Sequence, residues 1–174
     1  MRSFFILLLC LTSKLYGQEP VEVKFYLNNR QVSKNAKDFY FEKFKASDDD
    51  NSFSIVDSLM TKNNKTRPFY IFLVSKMIEK ADGVLSESLG HSCKNFIELH
   101  PDFLIDFLFS KNEIIEKIFI ENWANQIAGE FKIDCEGKEK PCINKSLQLA
   151  MTKSELKNKT RLTNFYKIVE SYSR

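Results

Sequence analysis

The sequence predicts an all-α fold of about six or seven helices, packed as antiparallel hairpins. Three observations support this prediction. From residue 48 onward, apolar residues recur at helical spacing between charged residues. Prolines, glycines and capping residues stand at the ends of these segments, where helices begin and end. A weak internal repeat with a period of 33 positions makes a solenoid-like stack of hairpins a further expectation.

The first 17 residues have the three-part pattern of a secretory signal peptide. A positive charge at Arg2 is followed by an apolar run at 4–11. Small Gly17 then precedes Gln18, at the expected cleavage point. The apolar run is too short to span a bilayer. We therefore expect an exported protein, periplasmic or extracellular, whose mature chain begins near Gln18.

Cys10 allows a second interpretation of this N-terminal segment. If Cys10 were the acylated first residue of a lipoprotein, the chain would be tethered to a membrane. Bulky Leu9 precedes it, however, where a lipobox has a small residue. The signal peptide is therefore favoured, and the lipoprotein is the alternative.

The charge balance argues against nucleic acid as a partner. The chain has 26 basic and 23 acidic residues, and removal of residues 1–17 takes away Arg2 and Lys14 and no acid. The mature net charge of +1 is no electrostatic footprint for nucleic acid. The charges are uneven, since residues 18–131 carry a net −4 and residues 132–174 a net +5. We expect an unknown protein or cell-envelope partner, with the basic section available to an acidic surface.

The mature chain would have 157 residues, enough for one domain with a substantial core. We divide it into an N-terminal arm with a first helix at 18–47 and a helical domain at 48–174. No second apolar stretch in the sequence approaches membrane-spanning length, so we expect no transmembrane segment in the mature chain.

The arm at 18–47 has the weakest pattern. Residues 21–27, VEVKFYL, allow a short strand. Residues 35–47 favour a helix, although their phenylalanines are unevenly placed. We therefore predict an irregular arm followed by a helix.

Two helices are predicted between residues 48 and 83. The first, at 48–64, opens with acids suited to a helix N-terminus. One face of it carries Phe53, Val56, Leu59 and Met60. The second, at 66–83, has Thr66 as a cap, Pro68 in the first turn and Gly83 as a stop.

Three further segments are predicted to be helical. The helix at 84–99 has an apolar stripe of Leu85, Leu89, Cys93, Phe96 and Ile97. A new helix starts at Pro101, 33 positions after Pro68. The helix at 110–129 begins with Ser110 and Glu113 in capping-box spacing. Its stripe consists of Ile114, Ile115, Ile118, Phe119 and Ile127.

The C-terminal section, from residue 142 onward, is predicted to form one or two helices. Thr152 and Glu155 have the spacing of another capping box. This spacing favours a helix start near Thr152.

His91, Cys93 and His100 raise the question of a metal or thiol site. In a helix over 84–99, His91 and Cys93 would differ by about 200° around the axis. Cys93 and His100 would lie roughly 10 Å apart along the axis, too far for one metal ion or one proton transfer. We therefore predict Cys93 in the core and no metal or catalytic site here. The histidines are expected at the surface or at a helix C-terminus, where the charged imidazole is favoured.

Cys135 and Cys142 are predicted to form a structural disulfide. The segment between them contains Gly137 and Pro141, which turn the chain. In an exported protein, two cysteines this close in a polar turn are good disulfide partners. Their spacing fits neither a redox C-x-x-C motif nor a zinc knuckle.

The acidic run at 48–50 looks like the start of a calcium-binding loop but fails its pattern. With Asp48 as the first position, Phe53 stands where the loop needs glycine. Leu59 stands where it needs a bidentate glutamate. We therefore interpret the acids as a helix N-terminus or a solvated turn.

Hydrolase motifs are missing from the sequence, which has no G-x-S-x-G, H-E-x-x-H or phosphate-binding glycine loop. A pair of carboxylates would still suffice for a glycosidase. Glu113, Glu116 and Glu121 lie on or near one helix, where acids usually serve solubility. Trp123, the only tryptophan, is expected in the core rather than as an anchor for a partner.

These observations favour an exported helical binding or interaction module. No catalytic, cofactor-binding or metal-binding residue is predicted, and no cofactor. The binding surface would be a groove between helix hairpins, with the basic C-terminal helix at one side. The alternative is a small secreted helical hydrolase, glycosidase-like, with two acids about 5–10 Å apart in a deep cleft.

Overall fold

The computed structural model describes residues 21–110 and 118–173 of the chain. All regular structure in these ranges is helical, and none of their helices is both long and apolar enough to cross a membrane. Two short 3₁₀ helices lie at Ser58–Met60 and Leu156–Asn158. The α-helices of these ranges, α1 to α9 in order, are Val21–Asn28, Lys34–Tyr40, Asp50–Asp57, Arg67–Ile78, Gly83–Leu99, Pro101–Leu108, Ile118–Cys135, Glu139–Lys153 and Lys159–Tyr172. The all-α prediction is confirmed, although the described residues hold more helices than the six or seven expected.

The N-terminal arm is more regular than predicted. Residues 21–27, which allowed a strand, lie in α1. Val23 is buried, and Tyr26 stacks on Phe69 with ring centroids 5.1 Å apart. A helix places residues three apart on one face, whereas a strand would place them on opposite faces. The helical form therefore lets both side chains reach the core.

Two helices, α4 and α7, form the centre of the core. α4 is buried from Phe69 to Ser75, as expected of a helix that is apolar on every side. α7 packs against α4, α5, α8 and α9. Trp123 on α7 is fully buried, and its Nε1–H donates a 2.7 Å hydrogen bond to Ser75 Oγ on α4. The prediction that Trp123 belongs to the core is confirmed.

The helices do not pack as a solenoid-like stack. α3 contacts α5, α5 contacts α8, and α6 contacts α9, so the packing reaches well beyond neighbours in sequence. In a solenoid, each repeat contacts only the next. Pro68 and Pro101 each open a helix as predicted, but the echo between them marks helix starts and not a stacked repeat.

Acidic side chains begin two of the helices. Asp49 caps α3, where its Oδ1 accepts a 2.8 Å hydrogen bond from the Ser52 N–H. This bond, together with one from the Ser47 hydroxyl, lowers the pKa of Asp49. Asp48 reaches α5, and its Oδ1 accepts a 2.5 Å hydrogen bond from the Leu85 N–H. The acidic run therefore serves helix N-termini, as the sequence pattern indicated.

Gly83 begins a helix instead of ending one. α4 stops at Ile78, and Gly83 is the first residue of α5 with a φ of +50°. This left-handed backbone is favourable only for glycine. The stripe predicted for α5 is confirmed, because all five of its residues are fully buried: Leu85, Leu89, Cys93, Phe96 and Ile97.

The stripe predicted for α7 is confirmed in part. Phe119, Trp123 and Ile127, which recur every four residues, are fully buried. Ile118 is half-exposed because it lies one residue, or 100°, away from that line. Other predictions fall on residues outside the described ranges: the signal peptide at 1–17, Cys10, Glu113 with its capping box, Ile114, Ile115 and Glu116.

Two predictions at helix ends are wrong. Thr152 does not start a helix; it lies inside α8, and its hydroxyl donates to the Leu149 carbonyl at 2.6 Å. The Glu155 N–H is bound instead by Asp102 Oδ2 of α6, at 2.9 Å. Met60, expected on a buried face, is exposed because α3 ends before it and a 3₁₀ turn follows.

A disulfide between Cys135 and Cys142 joins α7 to α8, as predicted. Cys135 is the last residue of α7, and Cys142 lies in the first turn of α8. Glu136 and Gly137 turn the chain between the helices in left-handed backbone conformations. The disulfide thus links the end of α7 to the first turn of α8.

Candidate binding groove

An open groove of about 360 Å³ lies between α2 and α4, on the surface built by the N-terminal arm. Side chains of α4 form its floor and one wall. The end of α2 and the residues after it form the opposite wall. Its apolar lining consists of Phe39, Tyr40, Phe44, Ala46, Phe72 and Leu73.

Aromatic rings dominate this lining. The ring centroids of Tyr40 and Phe72 are 6.3 Å apart across the groove, and those of Phe39 and Phe44 are 5.6 Å apart. Phe72 and Leu73 are buried, so the floor is continuous with the core. Phe39, Tyr40 and Phe44 are only half-buried. The groove therefore presents partly open aromatic rings over a fixed apolar floor, which is the arrangement of small-molecule sites.

A Schellman turn after α2 shapes one wall of the groove. The Glu42 N–H donates to the Phe39 carbonyl, and the Lys43 N–H donates to the Asp38 carbonyl, each at 2.9 Å. Glu42 has a φ of +55°, a left-handed conformation that costs a non-glycine residue about 1–2 kcal/mol. The turn reverses the chain and brings Phe44 back against Phe39. The wall therefore depends on a strained residue at its rim.

The charged residues of the groove lining are three lysines and one glutamate, Lys45, Lys76, Lys80 and Glu42. Lys76 lies in the last turn of α4, where the helix dipole favours cations, and Lys80 lies two residues beyond the end of the helix. Lys76 Nζ is also 5.5 Å from the ring centroid of Phe119. No carboxylate among the described residues lies within ion-pair distance of Lys45 or Lys80. The groove therefore carries a net positive charge.

His91 and Cys93 lie on opposite sides of α5, as the helical geometry predicted. His91 is exposed, and Cys93 is fully buried. His91 Nδ1 lies 3.2 Å from Glu130 Oε1, and Asn95 Nδ2 lies 2.8 Å from His91 Nε2. Because the Asn95 amide donates, Nε2 accepts and the Nδ1–H donates to Glu130. Both ring nitrogens therefore have structural partners.

Cys93 has the environment of an inert thiol. Burial and, secondarily, the charge of Glu130 raise the pKa of Cys93 well above its ordinary value. A nucleophilic or metal-binding cysteine needs the opposite, a lowered pKa and access to solvent. Across the described residues, no group of three or more histidines, cysteines or acids is arranged to hold a metal ion.

His100 differs from its predicted state. It lies at the junction of α5 and α6, half-buried, where a charged imidazole was expected at the helix C-terminus. Burial lowers the pKa of His100, and the positive charges of Arg67 and Lys153 lower it further. These neighbours outweigh the helix dipole, so the neutral imidazole is favoured. Arg67 could not be recognised as a neighbour from the sequence, because it is 33 positions away.

Two carboxylates on α6 do converge, but on a structural partner. Asp102 Oδ1 and Asp106 Oδ1 accept hydrogen bonds of 3.0 and 2.9 Å from Asn158 Nδ2. Asp102 also accepts from Ser154 Oγ at 2.8 Å and from the Glu155 N–H. Burial alone would raise the pKa of Asp102, but the bonds from Glu155, Asn158 and Ser154 outweigh it and lower the pKa.

This pair does not have the properties of a catalytic acid. The general acid of a glycosidase needs a raised pKa, and Asp102 has a lowered one. Of the three glutamates considered from the sequence, Glu121 is exposed, and Glu113 and Glu116 lie outside the described residues. The hydrolase therefore stays a prediction, and neither Asp102 nor Glu121 supports it.

The groove itself was missed from the sequence. Phe39, Phe41 and Phe44 looked uneven because a helix was expected to continue through all three. The helix ends at Tyr40, and the Schellman turn places Phe39 and Phe44 together. No glycine marks this turn, so the usual signal for a helix end was absent. The basic residues also come from α4 and the arm, and not from the C-terminal helix that the charge balance suggested.

Comparisons with known proteins add no relative. The chain matches no protein-family model, no curated protein and no solved structure.

Proposed function

We propose that this chain is an exported helical binding protein and that the groove between α2 and α4 is its ligand site. The observation that carries the proposal is the open aromatic lining of Phe39, Tyr40 and Phe44 over the buried floor of Phe72. Its volume of about 360 Å³ falls within the range of about 300–1,000 Å³ that is usual for small-molecule sites.

Exposed apolar surface beside the groove supports this assignment. Phe41, next to the groove wall, is 51% exposed, and its ring makes an edge contact with Tyr40 at 5.3 Å. An exposed phenylalanine that adjoins an apolar groove extends its apolar surface, which supports an interaction site here.

Two features support export. The pattern of residues 1–17 is that of a signal peptide. The Cys135–Cys142 disulfide suits an oxidising compartment, because cytosolic thiols are normally kept reduced. The mass of the protein recovered outside the cytoplasm of an expressing bacterium tests this part, and we expect a chain that begins near Gln18. A mass that includes residues 1–17 would contradict it.

The ligand site is tested by filling the groove. Ala46 lines the groove and is half-buried, so Ala46→Phe adds a ring inside it. Binding of the neutral fluorescent probe phenylnaphthylamine to the full mature protein would be measured by titration. We expect the substitution to weaken binding by about tenfold or more, because the added ring occupies the space of the ligand.

Ala81→Phe is the matched control. Ala81 is also half-buried against the core but does not line the groove. Thermal unfolding of both variants, followed by circular dichroism, separates a filled groove from a disturbed fold. Equal probe binding by the wild type, Ala46→Phe and Ala81→Phe would remove the groove as the ligand site.

A further inference from the structure

We infer that the ligand of the groove is a small amphiphile with an apolar body and one anionic group, such as a carboxylate, sulfonate or phosphate. This inference rests on the proposed function and adds the chemical class of the ligand. It depends on the order of the side chains along α4 and on the charges of the two walls.

The side chains of α4 change from apolar to cationic along the groove. Phe72 and Lys76 lie four residues apart on α4, Lys80 follows two residues after the helix ends, and all three line the groove. Four residues advance about 6 Å along a helix, so the first cationic side chain starts about one turn from the aromatic floor. An apolar body over Phe72 would therefore place its polar end beside Lys76 and Lys80.

The charges of the walls specify an anion. Lysines at the C-terminal end of α4 are favoured by the helix dipole whether or not a ligand binds. The dipole of α4 does not explain Lys45, because Lys45 belongs to the opposite wall and follows the Schellman turn. It is exposed and has no carboxylate partner among the described residues. Cations on both walls of an apolar groove are complementary to an anionic group between them.

Glu42 limits the charge that the groove can accept. Among the described residues it is the one acid of the lining, against three lysines. Its carboxylate repels any negative charge on the ligand and offsets one of the lysines, so we infer the smallest charge that can bridge the two walls, one anionic group. Glu42→Gln removes this repulsion and keeps the length of the side chain.

A matched pair of probes tests the charge preference. Anilinonaphthalene sulfonate and phenylnaphthylamine share one ring system and differ in the sulfonate. Fluorescence titrations of the mature protein would give the dissociation constant of each probe. We expect the sulfonate to bind more tightly than the neutral probe. Lys45→Gln and Lys80→Gln should each weaken sulfonate binding by about twofold to fivefold and leave the neutral probe unchanged.

Further variants separate the site from the charge of the whole protein. Lys65→Gln removes an exposed lysine outside the groove and should change neither probe. Glu42→Gln should strengthen sulfonate binding by about twofold to fivefold. If Ala46→Phe blocks both probes but the lysine variants change neither, the groove is a site for neutral ligands and the inference fails while the proposed function stands. If Ala46→Phe blocks neither probe, the proposed function fails as well.

A membrane surface is the competing occupant, because exposed phenylalanines and lysines also suit anionic lipid. Sedimentation with vesicles of phosphatidylglycerol tests it directly. Binding to vesicles through Phe41 and Lys45, without saturable binding of the soluble sulfonate, would overturn the inference. Saturable sulfonate binding that persists without vesicles supports it.

Discussion

Charged side chains have opposite roles in the groove and at the junction of α6 with α9. At the junction, Asp102 accepts hydrogen bonds from three residues, and Asn158 joins it to Asp106. In the groove, Lys45 and Lys80 face an open apolar space with no carboxylate partner among the described residues. Hydrogen-bond partners, and not the density of charge, therefore distinguish a structural cluster from a candidate site.

The same contrast explains why the junction is a poor active site. Its carboxylates already accept hydrogen bonds from Ser154, Glu155 and Asn158. The pKa of Asp102 is also lowered, which keeps this carboxylate ionised. In the groove, Lys45 and Lys80 have no carboxylate partner among the described residues, so a ligand would displace no ion pair from these two lysines.

Removal of the Asp102 carboxylate should have the largest effect on stability. Asp102→Ala leaves the Ser154 hydroxyl and the Glu155 N–H without their acceptor, and Asn158 keeps only Asp106. We expect the free energy of unfolding to fall by about 2–3 kcal/mol, since several donors at a partly buried junction lose a charged acceptor. Chemical denaturation followed by circular dichroism measures this loss.

Asp106→Ala is the control on the same helix. Asp106 bonds the same amide but is exposed, and its ion pair with Lys157 is solvated. The loss should be less than about 1 kcal/mol. Equal losses for the two variants would contradict the special role given to Asp102. Probe binding in the groove should be unchanged in both.

The disulfide should have the next largest effect, again without a change in the groove. Cys135→Ser with Cys142→Ser opens a loop whose closure contributes about 2 kcal/mol by the chain-entropy model. The variant should therefore unfold at lower denaturant and bind the neutral probe as the wild type does. Labelling of the native wild type with a thiol reagent is the complementary measurement, and neither cysteine should react. Weaker probe binding in the double variant would show that α7 and α8 support the groove.

The sequence predicts long helices better than it predicts the two regions compared here. The stripe from Leu85 to Ile97 repeats at helical spacing, so each of its residues reports on the same buried face. The groove and the junction depend on contacts between distant segments. Asp102 lies more than fifty positions from Asn158, and no local pattern links them. Such pairs are fixed by tertiary packing, which spacing along one helix does not encode.

The burial of polar residues is also not predicted by local sequence spacing. Glu130 is almost fully buried on α7, where sequence alone predicts an acid at the surface. It fits because Gly90 on α5 has no side chain: a Cβ there would lie 3.0 Å from Glu130 Oε2. The exposed His91 then donates to it. The only local signal in the sequence was Gly90, a glycine inside a predicted helix, which leaves room for a neighbouring side chain.

The pH dependence of stability should report on His100. Because burial lowers its pKa below the ordinary value of 6.5, the unfolded chain binds a proton more readily than the folded one. The contribution of His100 is therefore fully present above pH 6.5 and is lost as the pH falls through its lowered folded pKa. Asp102, whose pKa is also lowered, loses its contribution in a separate window, as the pH falls below 3.8.

His100→Gln should reduce the loss of stability that begins as the pH falls below 6.5, and it should leave the loss below pH 3.8 unchanged. The measurement is the free energy of unfolding of wild type and variant at several pH values between about 2 and 8, from denaturation curves. If the free energy of unfolding falls on acidification as much in His100→Gln as in the wild type, other groups cause that fall. The opposite slope would contradict the direction of the pKa shift.

The smallest expected effect concerns the strained rim of the groove, and it separates fold from function most directly. Glu42 has a φ of +55°, where glycine is favoured. Glu42→Gly should relieve the left-handed strain but add freedom to the unfolded chain, for a net gain of about 0.5–1 kcal/mol. Glu42→Ala also removes the carboxylate but keeps a Cβ, so it should give no such gain. Thermal unfolding of the three proteins measures the strain, and a gain in Glu42→Ala as large as in Glu42→Gly would assign it to the lost charge instead.

Because both variants lack the acid, both should bind anilinonaphthalene sulfonate more tightly than the wild type. Glu42 would then lower stability and oppose ligand charge at the same position, as expected of strain that is kept at a functional site.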